Sequence, residues 1–250
     1  CAYNPEDQLY YFYFPHPEDT LNWNSTWRIG VAVSRYPDKE FTVVGYVKGM
    51  MPFIDPCVFV DDDGQPYIYN GGGGSCYGAK LSRNNWTKLA SQPVRMEGLE
   101  DFHEATWVHK YNGRYYLSHS DNNSPSKGGN MMRYAVSDSP LGPWESLGAY
   151  MYPQGVETNH GSIVNFKGKW YAFYHTANYS GNGTLRSVCV DPLTVNPDGT
   201  LEVVQNWGTA KGGDSPLLTS DALTFEASGY NDGGYHKAWF TRDRKAPSVN

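Results

Sequence analysis

Two acidic residues stand among apolar neighbours, where carboxyl groups are uncommon. Glu104 lies between Phe102 and Trp107, and a carboxyl group beside aromatic surface tends to keep its proton. Such a glutamate is suited to donate a proton to a leaving group. Asp55 precedes Pro56 in an otherwise apolar predicted strand, where a buried carboxylate is unfavourable unless it is paired. The alternatives are a surface glutamate before a strand and an aspartate that caps the Pro56 turn.

A short turn followed by aromatic residues recurs along the chain and predicts the elements that would position these carboxyl groups. The turns are rich in Gly, Asp or Asn, and they precede Tyr10, Tyr67, Tyr115 and Trp170. This spacing of roughly 50 residues is typical of the four-stranded blades of β-propellers. Asp-Gly and Asn-Gly turns favour tight hairpins, and the neighbouring Tyr, Phe, Trp and Val residues suit half-buried strands.

A second alternating segment follows each hairpin and supplies the remaining strands of each unit. These segments are 28–33 with 41–44, 79–86, 132–144, and 186–190 with 201–204. The sequence therefore predicts an all-β propeller over 1–204, with about four blades recognisable. The tail, 205–250, is rich in glycine at its start and is predicted to be either a closing segment or the start of an accessory module.

Composition agrees with one large β domain and excludes some classes of partner. The chain has 250 residues, including 20 Tyr, 10 Phe and 8 Trp, which is enough to bury a sizeable aromatic core. Its net charge of −6, without basic clusters, argues against a nucleic-acid partner. No apolar run is long enough for a membrane span. Both secretion and a cytoplasmic location stay open, and the four cysteines neither require nor exclude disulfides.

Three longer motifs carry a resemblance to a known family. They are Ile54-Asp55-Pro56 with Asp62-Asp63-Gly64, Glu104-Ala105 with Asn112-Gly113-Arg114-Tyr115-Tyr116, and Thr158-Asn159-His160-Gly161-Ser162-Ile163 before Trp170-Tyr171. Over about the first 200 residues the chain resembles family 43 glycoside hydrolases, which are five-bladed β-propeller enzymes. These enzymes remove arabinose or xylose from plant polysaccharides. The first of the five blades has no recognisable counterpart here.

The resemblance implies roles for both carboxyl groups. Glu104 matches the general acid, and Asp55 matches the aspartate that tunes the acidity of that proton donor. An inverting glycosidase also needs a base that activates water, with the two carboxyl groups about 6.5 to 9.5 Å apart. In the family the base is an aspartate in an Asp-Pro element of the first blade, and no residue matches it. Asp214 and Asp221 in the tail are available carboxylates without that context.

The unassigned base leaves several alternatives open. The sequence fits a fragment of a longer enzyme, a chain whose propeller is completed by a second chain, or a noncatalytic glycan-binding propeller. The two retained carboxylate motifs favour an enzyme. The expected substrate is plant hemicellulose, namely arabinoxylan, arabinan or xylo-oligosaccharides, and the Glu-Ala-Thr-Trp motif favours an α-L-arabinofuranosidase or β-xylosidase.

The remaining matches concern substrate and metal. His160 matches a histidine near the propeller axis, often beside a bound calcium ion, and Arg186 matches an arginine that points into the sugar pocket. Trp107 and His103, which flank Glu104, are predicted to contact the substrate as well. No organic cofactor is expected. The alternatives are a hydrogen-bonded core histidine at 160 and a solvated arginine at a strand edge.

Overall fold

The computed structural model describes most of the first 204 residues and a short part of the tail. The described residues are 1–17, 26–121, 129–156, 158–177, 182–184 and 186–204, together with the backbone of 226–231 and 234–239. Within these ranges the regular structure is entirely β-strand, and no helix is long and apolar enough to cross a membrane.

Antiparallel pairing builds every sheet, and except for β9 the paired strands are consecutive in the chain. The strands are β1 (Ala2–Asn4), β2 (Leu9–Pro17), β3 (Trp27–Ser34), β4 (Thr42–Val47), β5 (Ile54–Val60), β6 (Pro66–Gly72), β7 (Ser75–Ser82), β8 (Asn85–Leu89), β9 (Val94–Arg95), β10 (Phe102–Tyr111), β11 (Arg114–Asp121), β12 (Met132–Ser137), β13 (Glu145–Met151), β14 (Gly161–Phe166), β15 (Lys169–Thr176), β16 (Ser187–Pro192), β17 (Glu226–Asn231) and β18 (Gly234–Trp239). The sheets have the orders β1-β2-β3-β4, β5-β6-β7-β8 with β9 beside β7, β10-β11-β12-β13, β14-β15-β16 and β17-β18. This succession of meandering sheets confirms the predicted all-β, propeller-type fold.

The recurring turns each join the first two strands of a sheet, as predicted. Asn112-Gly113 connects β10 to β11, and Lys167-Gly168 connects β14 to β15. These residues have φ values of 49°, 78°, 51° and 78°, so both central positions of each turn are left-handed. A two-residue turn of this kind matches the twist of the flanking strands and explains the glycine at its second position.

Two of the predicted strand segments end differently in the structure. Segment 132–144 was expected to supply the remaining strands of its sheet. It supplies β12, but β13 begins only at Glu145, after Pro143, which has no N–H group to donate to a ladder. Segment 201–204 was expected to complete the fourth sheet. Leu201 instead forms an isolated bridge with Val195, because 196–200 folds back as a turn. The described part of the fourth sheet therefore has three strands.

The described residues fall into two compact units, of which the first comprises Cys1–Asn122 and Arg133–Gly148. Two apolar clusters hold its three sheets together, one around Trp86 and one around Trp144. Tyrosines in these clusters also bind neighbouring sheets through their hydroxyl groups: Tyr13 donates to the Trp86 carbonyl at 2.9 Å and Tyr69 to the Pro140 carbonyl at 2.7 Å. Rings that pack and hydroxyl groups that bond explain the abundance of tyrosine.

The second unit comprises Asn123–Met132 and Ala149–Asn250. Its described core contains Ile163, Ala172 and Tyr174, and the Tyr174 hydroxyl donates to the buried Asp191 carboxylate. In the tail, β17 and β18 form a hairpin. Whether 205–250 closes the propeller or begins another module stays a prediction, and Asp214 and Asp221 lie outside the described residues.

Candidate active site

Asp55 lies in a bulge near the start of β5. Ile54 pairs with Gly71 and Cys57 pairs with Tyr69, so Asp55 and its neighbour Pro56 together oppose a single residue of β6. Proline suits this unpaired position because it has no N–H group. Asp55 has a φ of 51°, in the left-handed region that aspartate and asparagine tolerate better than most residues.

Glu104 lies between two irregularities of β10. His103 is the extra residue on one side of it, and on the other side Ala105 and Thr106 together oppose the single residue His119 of β11. Ala105 has a φ of 66°, which is unfavourable by about 1–2 kcal/mol for a residue with a β-carbon. The surroundings must therefore hold this backbone in place.

The two bulges are hydrogen-bonded to each other. The Ala105 N–H group donates to Oδ2 of Asp55 at 2.9 Å, and the Thr106 hydroxyl donates to the Asp55 carbonyl at 2.6 Å. The Asp55 carboxylate is thus fixed at the peptide that follows Glu104. Strained non-glycine backbone on both sides of such a contact is typical of functional sites. The structure thus brings together the two carboxylate motifs singled out in the sequence.

Asn70 holds the segment that precedes Asp55, and the sequence analysis did not identify this residue. Its fully buried side chain donates to the carbonyl groups of Met51 at 2.8 Å and Phe53 at 3.2 Å. These bonds fix the segment that leads into β5. The available signal was an asparagine within the apolar run Tyr67–Tyr69, where a polar side chain needs a buried partner.

A cationic residue supports the strand that carries Glu104, and it too was missed. Arg133 lies 3.4 Å from the buried Asp121 carboxylate, 3.6 Å from Asp101 and 3.7 Å from Glu100. Because Asp121 is buried and pairs with Phe102 at the start of β10, its contact with Arg133 links that start to β12, whereas the longer pairs with the exposed Asp101 and Glu100 contribute little. Arginine suits this role because its guanidinium group presents several donors in a fixed geometry.

His103 and Trp107 are both half-buried in β10, on either side of the Glu104 bulge. The structure therefore places both predicted substrate-contacting residues next to the proposed acid. Their contact with a sugar stays a prediction.

The other two predicted site residues, His160 and Arg186, lie in the second unit, and both lie near His175. Arg186, just before β16, donates through Nη2 to the Thr158 hydroxyl at 2.5 Å. Burial, with smaller contributions from the nearby Arg186 and His160, lowers the pKa of His175 to about 4. His160, Arg186 and His175 thus form one polar group, of which the sequence analysis named the first two.

The predicted calcium ion is not explained by this group alone. Calcium prefers six to eight oxygen ligands. Next to His160, the buried Asn159 Oδ1 has no hydrogen-bond partner in the described part of the chain, which supplies one oxygen donor. Imidazole and guanidinium groups do not add others, and no cluster of three His, Cys, Asp or Glu residues occurs among the described residues. The calcium ion stays a prediction.

Three buried histidines predict that the fold loses stability in mild acid. Loss of hydration lowers the pKa of His109 to about 3 and is the main cause that lowers those of His119 and His175 to about 4. An unfolded histidine titrates near pH 6.5, so below this pH the unfolded chain binds protons that the folded chain does not. The contribution of these histidines to the free energy of unfolding is therefore fully present above about pH 6.5. It falls toward about pH 4, by up to about 1.4 kcal/mol per pH unit for each histidine.

Urea unfolding between pH 7 and pH 5 measures this loss. His109 stacks on Tyr116 with ring centroids 5.0 Å apart, so His109→Phe keeps an aromatic ring there and should reduce the pH dependence. His16 is exposed, and His16→Phe is the matched control that should leave the dependence unchanged. An equal pH dependence in wild type and His109→Phe would contradict the account.

Comparison with known proteins identifies the family. Residues 3–201 match the model of Glycosyl hydrolases family 43. The chain belongs to this family. It is 32% identical over 248 residues to "Xylosidase/arabinosidase" of Bacteroides ovatus, covering 82% of this chain and 72% of the relative. It is also 32% identical over 242 residues to "Beta-xylosidase" of Xylanibacter ruminicola, covering 80% and 72%.

Solved structures of family 43 enzymes agree with this family assignment. A β-xylosidase/α-arabinofuranosidase from a compost microbial metagenome, in complex with xylotriose, is 34% identical with a TM-score of 0.69, covering 79% of this chain and 70% of that one. The GH43_1 enzyme from Xanthomonas citri, in complex with xylose, is 29% identical with a TM-score of 0.71, covering 86% and 72%. The family resemblance and the glycosidase class predicted from the sequence are confirmed.

Proposed function

We propose that this family 43 glycosidase releases xylose or arabinose from plant xylan or arabinoxylan, by an inverting mechanism with Glu104 as the general acid. The observation that carries the proposal is the hydrogen bond from the Ala105 amide to the Asp55 carboxylate, which joins the two carboxylate motifs. The two relatives described above, a xylosidase/arabinosidase and a β-xylosidase, support the choice of sugars.

In this mechanism Glu104 gives its proton to the glycosidic oxygen as the bond between that oxygen and the anomeric carbon breaks. The electron pair of the broken bond leaves with the oxygen. Water attacks the anomeric carbon from the opposite face of the sugar and loses a proton to a base. The base is unassigned in this chain, and the proposal gives that role to no residue.

Asp55 acts on the acid without touching the substrate. A carboxylate held beside the peptide that follows Glu104 disfavours a second negative charge on the neighbouring glutamate. Glu104 therefore keeps its proton to higher pH than it would without Asp55. This matches the role that the family resemblance gives to this aspartate.

Sugar binding is proposed for two side chains of the strand that carries Glu104 and, independently of them, for Arg186. Trp107 offers a ring face for the apolar side of a pyranose or furanose, and His103 offers ring nitrogens to hydroxyl groups. Arg186 presents a planar fork of donors that suits adjacent hydroxyl groups, and Thr158 fixes its orientation.

Hydrolysis of nitrophenyl α-L-arabinofuranoside and nitrophenyl β-D-xylopyranoside tests the proposal. We expect release of nitrophenol from at least one of them, with proton NMR showing that the sugar is first released with inverted anomeric configuration. Release with retained configuration would refute the inverting mechanism. Binding of xylotriose without hydrolysis would favour the noncatalytic glycan-binding alternative. Neither binding nor hydrolysis would refute the proposed substrates.

A further inference from the structure

One aromatic ring lies between the backbone of the sheet that carries Asp55 and the sheet that carries Glu104. Phe102, only 5% exposed, lies against the bare α-carbon of Gly71, where an added β-carbon would be 2.5 Å from its Cζ and 2.7 Å from its Cε1. Against the same Phe102 ring lies the ring of His119, with centroids 5.1 Å apart and planes inclined at 42°. The absence of a side chain at position 71 therefore permits this close contact.

All three residues of this contact adjoin the two bulges. Gly71 pairs with Ile54, the residue before Asp55. Phe102 precedes Glu104 by two residues, and His119 is the single residue opposite the bulge that contains Ala105. The contact thus touches the backbone on both sides of the hydrogen bond between Ala105 and Asp55.

His119 is itself held rigidly. Its Nδ1 lies 3.0 Å from the Ser120 carbonyl, and its side chain is fully buried. Since a carbonyl oxygen accepts, Nδ1 carries the proton in this bond. Phe102 is therefore packed between a backbone surface and a fixed ring, and a well-packed interior transmits a change in volume to its neighbours.

We propose that Phe102 is a positioning residue that sets the distance between the Asp55 bulge and the Glu104 bulge. It acts through the backbone of β10 and does not contact the substrate. Its effect on catalysis rests on the proposed function, whereas its effect on the bond between Ala105 and Asp55 does not. Misplacement of a catalytic group by about 1 Å costs up to about 10²-fold in rate.

The test compares Phe102→Leu with Val108→Ala in the full 250-residue chain. Val108 lies in the same strand and the same apolar cluster, beyond the bulge, so its truncation controls for a general loss of core packing. Phe102→Met, whose flexible side chain adapts to an irregular gap, serves if Phe102→Leu does not fold. Two measurements are made: steady-state kinetics on the nitrophenyl glycosides, which give kcat and KM, and hydrogen exchange of the Ala105 amide.

We expect Phe102→Leu to lower kcat by about 10- to 100-fold with KM changed less than about twofold. Exchange of the Ala105 amide should become at least about tenfold faster relative to a core amide such as that of Leu117. Val108→Ala should leave both kcat and the relative exchange of the Ala105 amide unchanged. An equal fall of kcat in both variants, or unchanged relative exchange at Ala105 in Phe102→Leu, would overturn the proposal. If wild type hydrolyses neither glycoside, the proposed function fails, and amide exchange alone then decides the positioning role.

Discussion

Replacing Glu104 by glutamine is expected to lower kcat on the nitrophenyl xyloside or arabinofuranoside by about 10³-fold. General acid catalysis contributes about 10²- to 10⁴-fold, and a glutamine amide keeps the shape of the side chain without a proton to give. Binding should persist, because the pocket keeps its shape. Steady-state kinetics measure the first effect, and calorimetric titration with xylotriose measures the second.

Glu100→Gln is the matched control for this substitution. Glu100 precedes the same strand, and its side chain is 71% exposed with a distant ion pair to Arg133. Its replacement should change kcat less than about twofold, since an exposed pair of this kind contributes little. Unchanged turnover in Glu104→Gln would remove Glu104 from the role of acid.

Replacing Asp55 by asparagine is expected to lower kcat by about 10- to 100-fold and to move the alkaline limb of the pH–rate profile to lower pH. An asparagine oxygen still accepts the hydrogen bond from Ala105, and asparagine tolerates the left-handed backbone at this position. The variant therefore removes the charge and little else. Without that charge, ionisation of the acid is no longer opposed, which gives the direction of the shift.

Asp55→Ala separates charge from geometry. Alanine cannot accept the bond from Ala105 and is less favourable at a φ of 51°, so this variant should also lose about 1–3 kcal/mol of stability. The control is Asp62→Asn, because the Asp62 side chain is 85% exposed and pairs only at the surface with Lys110. A pH–rate profile of Asp55→Asn that coincides with that of wild type would contradict the assigned role of Asp55.

Local chemistry explains why much of the fold could be predicted. The Asn112-Gly113 turn fixes where β10 ends and β11 begins through backbone preferences that belong to the two residues themselves. The aromatic residues that follow such turns face apolar clusters, as Tyr67 and Tyr115 do. Patterns of this kind need no knowledge of distant parts of the chain.

The arrangement of the candidate site depends on contacts across sheets, which the sequence alone does not reveal. Residues 50 positions apart form the bond from Ala105 to Asp55, and nothing about an alanine after a glutamate indicates a left-handed backbone. Gly71 lies in a run of four glycines, a pattern that favours a turn. Gly71 and Gly72 instead end β6, and the importance of Gly71 appears only when Phe102 lies against it.

The most direct test of the central claim, that Glu104 donates the proton, varies the leaving group. Wild type and Glu104→Gln are compared on xylosides whose leaving groups range from dinitrophenol, which departs without a proton, to the sugar of an unactivated xylo-oligosaccharide, which needs one. We predict that Glu104→Gln loses far more activity on the oligosaccharide than on the dinitrophenyl xyloside. An equal loss on all of them would contradict the assignment of Glu104 as the acid.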